Sequence, residues 1–243
     1  MNTNIRCKQM FGKQYCKQRS WDLFVYLAKD IAKDLKICLK TNKSKNDINY
    51  NGEIISINDW KKILRDMYWS FDQIARDYPS SPWNIQWEIY WKQYGQYRAF
   101  EDWMEERDGH TYYKSDDRFI PPDKDLEKVY YDQVQHGLDL FSKYFVQLVQ
   151  YDKRFYHYPE KIANDLRAFK MYNIHGIPAD FVDNIDTCPS EKVNDKTEEG
   201  AKKWHEAVGK MYQAFYNISQ KKYVEENNDG LMLFAKHYGN LWD

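Results

Sequence analysis

Gly137-Leu138-Asp139-Leu140-Phe141-Ser142-Lys143-Tyr144-Phe145-Val146-Gln147-Leu148 and Gly230-Leu231-Met232-Leu233-Phe234-Ala235-Lys236-His237-Tyr238-Gly239-Asn240-Leu241 are one pattern written twice. Each reads glycine, leucine, leucine, phenylalanine, lysine, two rings and a last leucine at the same spacing. Two further blocks recur upstream in the same order. Trp60, Leu64, Met67, Tyr68, Phe71 and Ile74 are matched by Trp204, Val208, Met211, Tyr212, Phe215 and Ile218, and Ile31–Lys36 by Ile162–Arg167. Three blocks in one order are the signature of an internal repeat.

The spacing inside the blocks is helical. Apolar positions at 60, 63, 64, 67, 68, 71 and 74 form a stripe of period 3.6, and Leu27, Ile31, Leu35 and Leu39 keep to one face in the same way. Nothing in the chain alternates as a strand, so the expected class is all-α. Each copy is expected to hold three helices, about 20–40, 58–78 and 125–150 in the first, and 157–172, 196–224 and 228–242 in the second. Ser20 and either Asn58 or Asp59 are expected caps. The residue count from Trp60 to Gly137 is 77 and from Trp204 to Gly230 is 26, so copy one carries 51 extra residues. These lie within about 79–124 and read as a helical, aromatic-rich insertion. In copy two the polar stretch 182–203 reads as a mobile loop. The division is a tail (1–19), copy one (20–150) and copy two (151–243). Small three-helix units bury too little surface to stand alone. The copies are therefore expected to pack as one domain about a pseudo-twofold axis, like a homodimer fused into one chain.

Bulk properties exclude some roles. With 36 basic and 37 acidic side chains the net charge is near zero, which argues against nucleic acid and anionic membrane as partners. No apolar run approaches the ~20 residues needed to cross a bilayer. The four cysteines show no metal-ligand spacing and read as reduced thiols, which places the chain in a cytoplasm.

The blocks resemble short proteins of unassigned activity encoded by bacteriophages, which end in G-L-x-L-F-x-K-Y-F-x-x-L-W-D. Trp21-Asp22-Leu23 matches the opening of that family, His175-Gly176-Ile177-Pro178 its middle, and Gly230–Asp243 its ending. This chain departs from the pattern by carrying two units. The resemblance implies a viral origin and a setting in the infected host's cytoplasm, and it supplies no catalytic residues.

Candidate sites come from the residues themselves. Trp83, Trp87, Trp91 and Tyr94 recur at helical spacing in the insertion, with Arg98 and Arg107 nearby. As a surface, such a stripe suits a protein partner or a stacked nucleobase; as a buried face, it is packing. Glu101, Glu105 and Asp108 form an acidic cluster which, on a helix, would hold Mg²⁺ against a nucleotide triphosphate. No other cofactor is suggested. Asp34/Asp165 and Lys143/Lys236 are polar pairs that match between copies, whereas the histidines do not. The aspartates are either surface charges or an axial site for a cation or basic partner. No phosphate loop, nucleophile elbow or zinc motif is present. The expected function is non-enzymatic: binding a host protein, or sequestering a small nucleotide-like ligand, during host takeover or evasion of defence. The chain would act as a monomer or fused dimer. A Mg²⁺-dependent nucleotide pyrophosphatase and a virion component are the alternatives.

Overall fold

Serine and aspartate stand where helices of the chain begin, at Ser56, Ser81 and Asp123, and the long apolar stripes decide which faces turn inward. The computed structural model describes residues 23–41, 47–50, 52–94, 104–107, 110–113, 120–172, 177–182 and 193–241. The helices are α1 (Leu23–Thr41), α2 (Ile57–Ala75), α3 (Pro82–Tyr94), α4 (Lys124–Tyr151), α5 (Tyr158–Tyr172), α6 (Val193–Ser219) and α7 (Glu226–Lys236). Two short antiparallel hairpins interrupt them: β1 (Ile48–Tyr50) with β2 (Glu53–Ile55), and β3 (Met104–Arg107) with β4 (His110–Tyr113). The fold is mostly helical.

Helices α1, α2 and α4 form an N-terminal set, in which α2 packs on both others; α5, α6 and α7 form a C-terminal set with α6 in the same central place. The sets meet chiefly where α4 lies against α7. One apolar core runs through both. Leu27, Ile31, Leu35, Leu64, Met67 and Phe71 are wholly buried on one side, and Ile162, Leu166, Trp204, Val208, Met211 and Phe215 on the other.

The repeated motifs make the same contacts in both sets. A Cβ on Gly137 would lie 2.6 Å from the Asp66 carbonyl oxygen and 2.1 Å from Ser70 Oγ. A Cβ on Gly230 would lie 2.5 Å from the Lys210 carbonyl oxygen and 2.5 Å from Ala214 Cβ, on the matching residues of the other set. Phe71 meets Phe141 edge-to-face at 4.9 Å, and Phe215 meets Phe234 edge-to-face at 4.8 Å. The contacts between sets are reciprocal: Phe71 meets Tyr238 at 5.5 Å, while Phe215 meets Phe145 at 5.0 Å. The ends of α2 and α6 also correspond. Asp77 and Lys221 both adopt left-handed φ, near +59° and +58°. The next amide then bonds back in each case, Tyr78 N to Gln73 O at 2.7 Å and Lys222 N to Asn217 O at 2.9 Å.

The structure corrects several sequence-based expectations. Helix α2 is capped by Ser56, whose Oγ accepts the Asp59 amide at 3.1 Å; Asp59 returns a contact to the same hydroxyl at 2.6 Å, so it closes the cap from inside the helix. Helix α6 begins at Val193, so the polar stretch 193–203 is not a loop. Its Glu and Lys residues are good helix formers, and Gly200 lets Val182 and Phe181 approach closely. The segment 183–192 lies outside the described residues, as does Ser20. The insertion is not helical throughout: after α3 it continues into the β3–β4 hairpin. The expected last helix, 228–242, is shorter: α7 ends at Lys236 and a 3-10 turn (Tyr238–Asn240) follows.

Candidate functional site

Lysine is the one residue of the repeated G-L-x-L-F-x-K pattern that the core does not explain, because Leu138, Phe141, Leu231 and Phe234 are buried while Lys143 and Lys236 are exposed. Both lysines line a single cleft of about 1040 Å³ where α4 meets α7. Helix α4 contributes Asp139, Ser142 and Lys143; α7 contributes the matching Met232, Ala235 and Lys236. Around this shared floor stand Tyr50 from β1, Lys210 from α6, and Glu225, Asn228 and Asp229 at the start of α7. The size falls at the upper end of the range for small-molecule sites.

Each lysine is held by its own set. The Tyr50 hydroxyl donates to the Lys143 carbonyl at 2.9 Å, and Lys143 Nζ lies 4.9 Å from the Tyr144 ring centroid. A hydrogen bond to Tyr144 holds the Lys143 ammonium above its ordinary pKa, against the opposing pull of burial. Lys236 Nζ pairs with Asp180 at 2.7 Å. Burial would raise the Asp180 carboxyl, but the Lys236 hydrogen bond and the His237 and Lys236 charges bring it below the usual range. Among the described residues no carboxylate lies within 4.0 Å of Lys143 or Lys210. The cleft thus presents ammonium groups, a tyrosine ring, and the carboxylates of Asp139, Glu225 and Asp229 to one small volume. Chemically that set suits an anionic group on the lysines, hydroxyls on the carboxylates and a flat ring on Tyr50.

Behind each lysine sits an aromatic box. In the N-terminal set Trp60 meets Tyr144 at 5.6 Å and Tyr50 meets Tyr144 at 4.8 Å. In the C-terminal set Trp204 meets His237 at 5.5 Å, and Phe181 meets both, at 5.4 Å and 5.0 Å. Burial lowers the His237 pKa, the neighbouring Lys236 adds to that, and Asp180 and Asn240 act against it.

The residues singled out from the sequence fall elsewhere. Trp83 and Trp87 are half-buried on α3 and Tyr90 is buried, with Trp87 and Tyr90 edge-to-face at 5.7 Å. The open face of α3 is the other one, carrying Ile85 and Ile89. Trp91 and Tyr94 belong to α3, but their side chains lie outside the description, and Arg98 lies outside it altogether. Arg107 ends strand β3. The acidic cluster is corrected: Glu105 is a strand residue paired with Tyr112, so Glu101 and Glu105 do not share a helix face at i, i+4. Glu101 and Asp108 lie outside the described residues. Among the described residues no group of three or more metal-ligating side chains gathers.

Asp34 accepts the Tyr158 hydroxyl of the other set at 2.7 Å, and Asp30 pairs with Lys161 across the same boundary. Asp165 is buried within the C-terminal set. The cleft itself was not foreseen. The signal was present in the repeated lysines, but only packing of α4 on α7 brings them to one place. No helix among the described residues is long and apolar enough to cross a membrane. Comparison with known protein families, curated proteins and solved structures finds no match.

Proposed function

We propose that this chain is an internally duplicated, non-catalytic binding protein of phage infection, which sequesters a small nucleotide-like ligand in the cleft between α4 and α7. The observation that carries the reading is the arrival of both repeat lysines, Lys143 and Lys236, at one cleft. Two copies related by a pseudo-twofold axis account for it: a residue near the axis in one copy lies near its counterpart in the other. The same relation accounts for the reciprocal Phe71–Tyr238 and Phe215–Phe145 contacts. It also accounts for the Asp30–Lys161 pair, since those two positions correspond in the repeat.

The ligand class follows from the lining. Phosphate oxygens are received by Lys143, Lys210 and Lys236; ribose hydroxyls donate to Asp139 or Asp229; the base rests against Tyr50. Sequestration needs no nucleophile and no metal, only a favourable difference between bound and free ligand. The phage setting rests on the resemblance of the repeated blocks, and a host-cytoplasmic location follows from it.

The test is titration calorimetry of the whole chain against nucleoside monophosphates, diphosphates and cyclic phosphates. At least one is expected to bind with a dissociation constant in the micromolar range or below, and Lys143→Ala with Lys236→Ala is expected to weaken it at least tenfold. Absence of heat with every member of the panel would sink the reading.

A further inference from the structure

The two aromatic boxes differ at one matched position: Tyr144 in the N-terminal set is His237 in the C-terminal set. In the first box the Lys143 ammonium lies 4.9 Å from the Tyr144 ring centroid. In the second, the corresponding lysine has turned to Asp180, and the shorter imidazole stands where a phenol would reach further. Two buried nitrogens result. Trp204 is wholly buried and His237 is 2% exposed, and neither Trp204 Nε1 nor His237 Nε2 meets a hydrogen-bond partner. Asp180 Oδ2 lies 3.9 Å from His237 Nε2, beyond a direct hydrogen bond but within the span that one bridging oxygen closes. Buried polar atoms without partners cost about 1–3 kcal/mol each and are rare in folded proteins. Two of them in one box, with rings 5.5 Å apart, mark a place built for something the chain does not itself supply.

We propose that Trp204, His237 and Asp180 form a buried site for a single hydroxyl oxygen, covered by the connection 177–182 through Phe181. The indole N–H can only donate, whereas imidazole Nε2 donates or accepts according to its tautomer. A hydroxyl oxygen accepts from the indole and serves the imidazole in either tautomer: its hydrogen goes to Nε2 when that nitrogen is unprotonated, and turns toward Asp180 when Nε2 is itself the donor. A carbonyl would fail with one tautomer, and an ammonium would find no use for the indole. The oxygen is either that of a retained water or that of a ligand hydroxyl. The site lies directly behind Lys236, which lines the cleft, but it stands on the C-terminal box alone and does not depend on what the cleft binds.

The experiment is ¹⁵N NMR of the full chain, with the Trp204 indole signal assigned through Trp204→Phe. The expected result is an indole N–H protected from solvent exchange and showing a cross-peak to a long-lived water. Methanol, added as the hydroxyl probe, separates the two sources. If it shifts the Trp204 signal to saturation and removes the water cross-peak, the site takes ligand hydroxyls. If the water persists unchanged, the oxygen is that of a structural water.

His237→Tyr and His237→Phe supply a second reading. The tyrosine brings its own oxygen and the phenylalanine none, so His237→Tyr should melt about 3–6 °C above His237→Phe. Should neither variant fold, the wild-type spectra still decide. An indole that exchanges as fast as an exposed tryptophan, with no water cross-peak and no response to methanol, overturns the proposal. Equal melting of the two variants would also count against it.

Discussion

Gly137 and Gly230 hold the central helices at a distance that no side chain allows. Both would place a Cβ well inside contact distance of a backbone carbonyl that cannot step aside. Gly137→Ala and Gly230→Ala are each expected to cost about 1–3 kcal/mol, by overpacking. Gly239→Ala, where nothing lies within 4 Å, is the control and should stay within about 0.5 kcal/mol. Urea unfolding of the three variants checks this. Histidine 237 sets a pH dependence at the same scale. Burial holds its folded pKa below the ordinary 6.5, so between that folded value and 6.5 the unfolded chain binds a proton that the folded chain refuses. Unfolding therefore takes up protons in that window, and stability falls as the pH falls through it. His205, lowered by burial and by Lys170, adds in the same direction. Melting temperature should drop between pH 7.5 and pH 5.5, and His237→Phe should flatten part of the slope. Asp180 acts lower on the scale: its depressed pKa supports stability above the ordinary 3.8, and that support is lost only as the pH falls through its folded value.

Among the elements, the helix ends carry more specification than the helix middles. The Ser56 cap on α2 satisfies one backbone donor, and Ser56→Ala should cost about 1 kcal/mol by urea titration. At the far end of α2 the chain turns through Asp77 and Tyr78, both left-handed without being glycine. Asn84 secures that turn by donating its side-chain amide to both carbonyls, at 2.9 Å and 2.8 Å. Its place on α3 explains how the insertion is fastened to the bundle: through a polar clasp at its first turn, with Tyr90 buried further along. Much of this was legible in advance. Stripes of period 3.6 locate helices because one face must leave water. The caps were only approximately legible, since Ser56, Asn58 and Asp59 all qualify locally and the choice depends on where the β2 strand releases the chain. The start of α6 was missed for a related reason. A polar run such as 193–203 is a loop or an exposed helix according to what lies at its end, and here Gly200 seats it against Phe181 and Val182.

At the scale of the whole molecule, the rings of the two sets alternate through one core. Phe71 and Phe215 each touch a ring of their own set and a ring of the other. Phe71→Ala and Phe215→Ala are each expected to cost about 3–5 kcal/mol. Unfolding should follow a single transition, with circular dichroism and tryptophan fluorescence coincident in urea. Two separated transitions would mean that the sets fold independently.

The sequence by itself determined that the chain is mostly helical and which faces of its helices are apolar, because helical periodicity and repetition are local properties of the string. It also marked Lys143 and Lys236 as exceptions within an otherwise apolar motif. The tertiary structure alone decided that these lysines share a cleft, that Trp204 and His237 share a box, and that the aromatic stripe of α3 turns half inward. Each of those depends on how two helices distant in sequence cross. Such crossings are set by shape, through the two glycines within the sets and the interleaved rings between them, and shape is expressed only when both surfaces are in place.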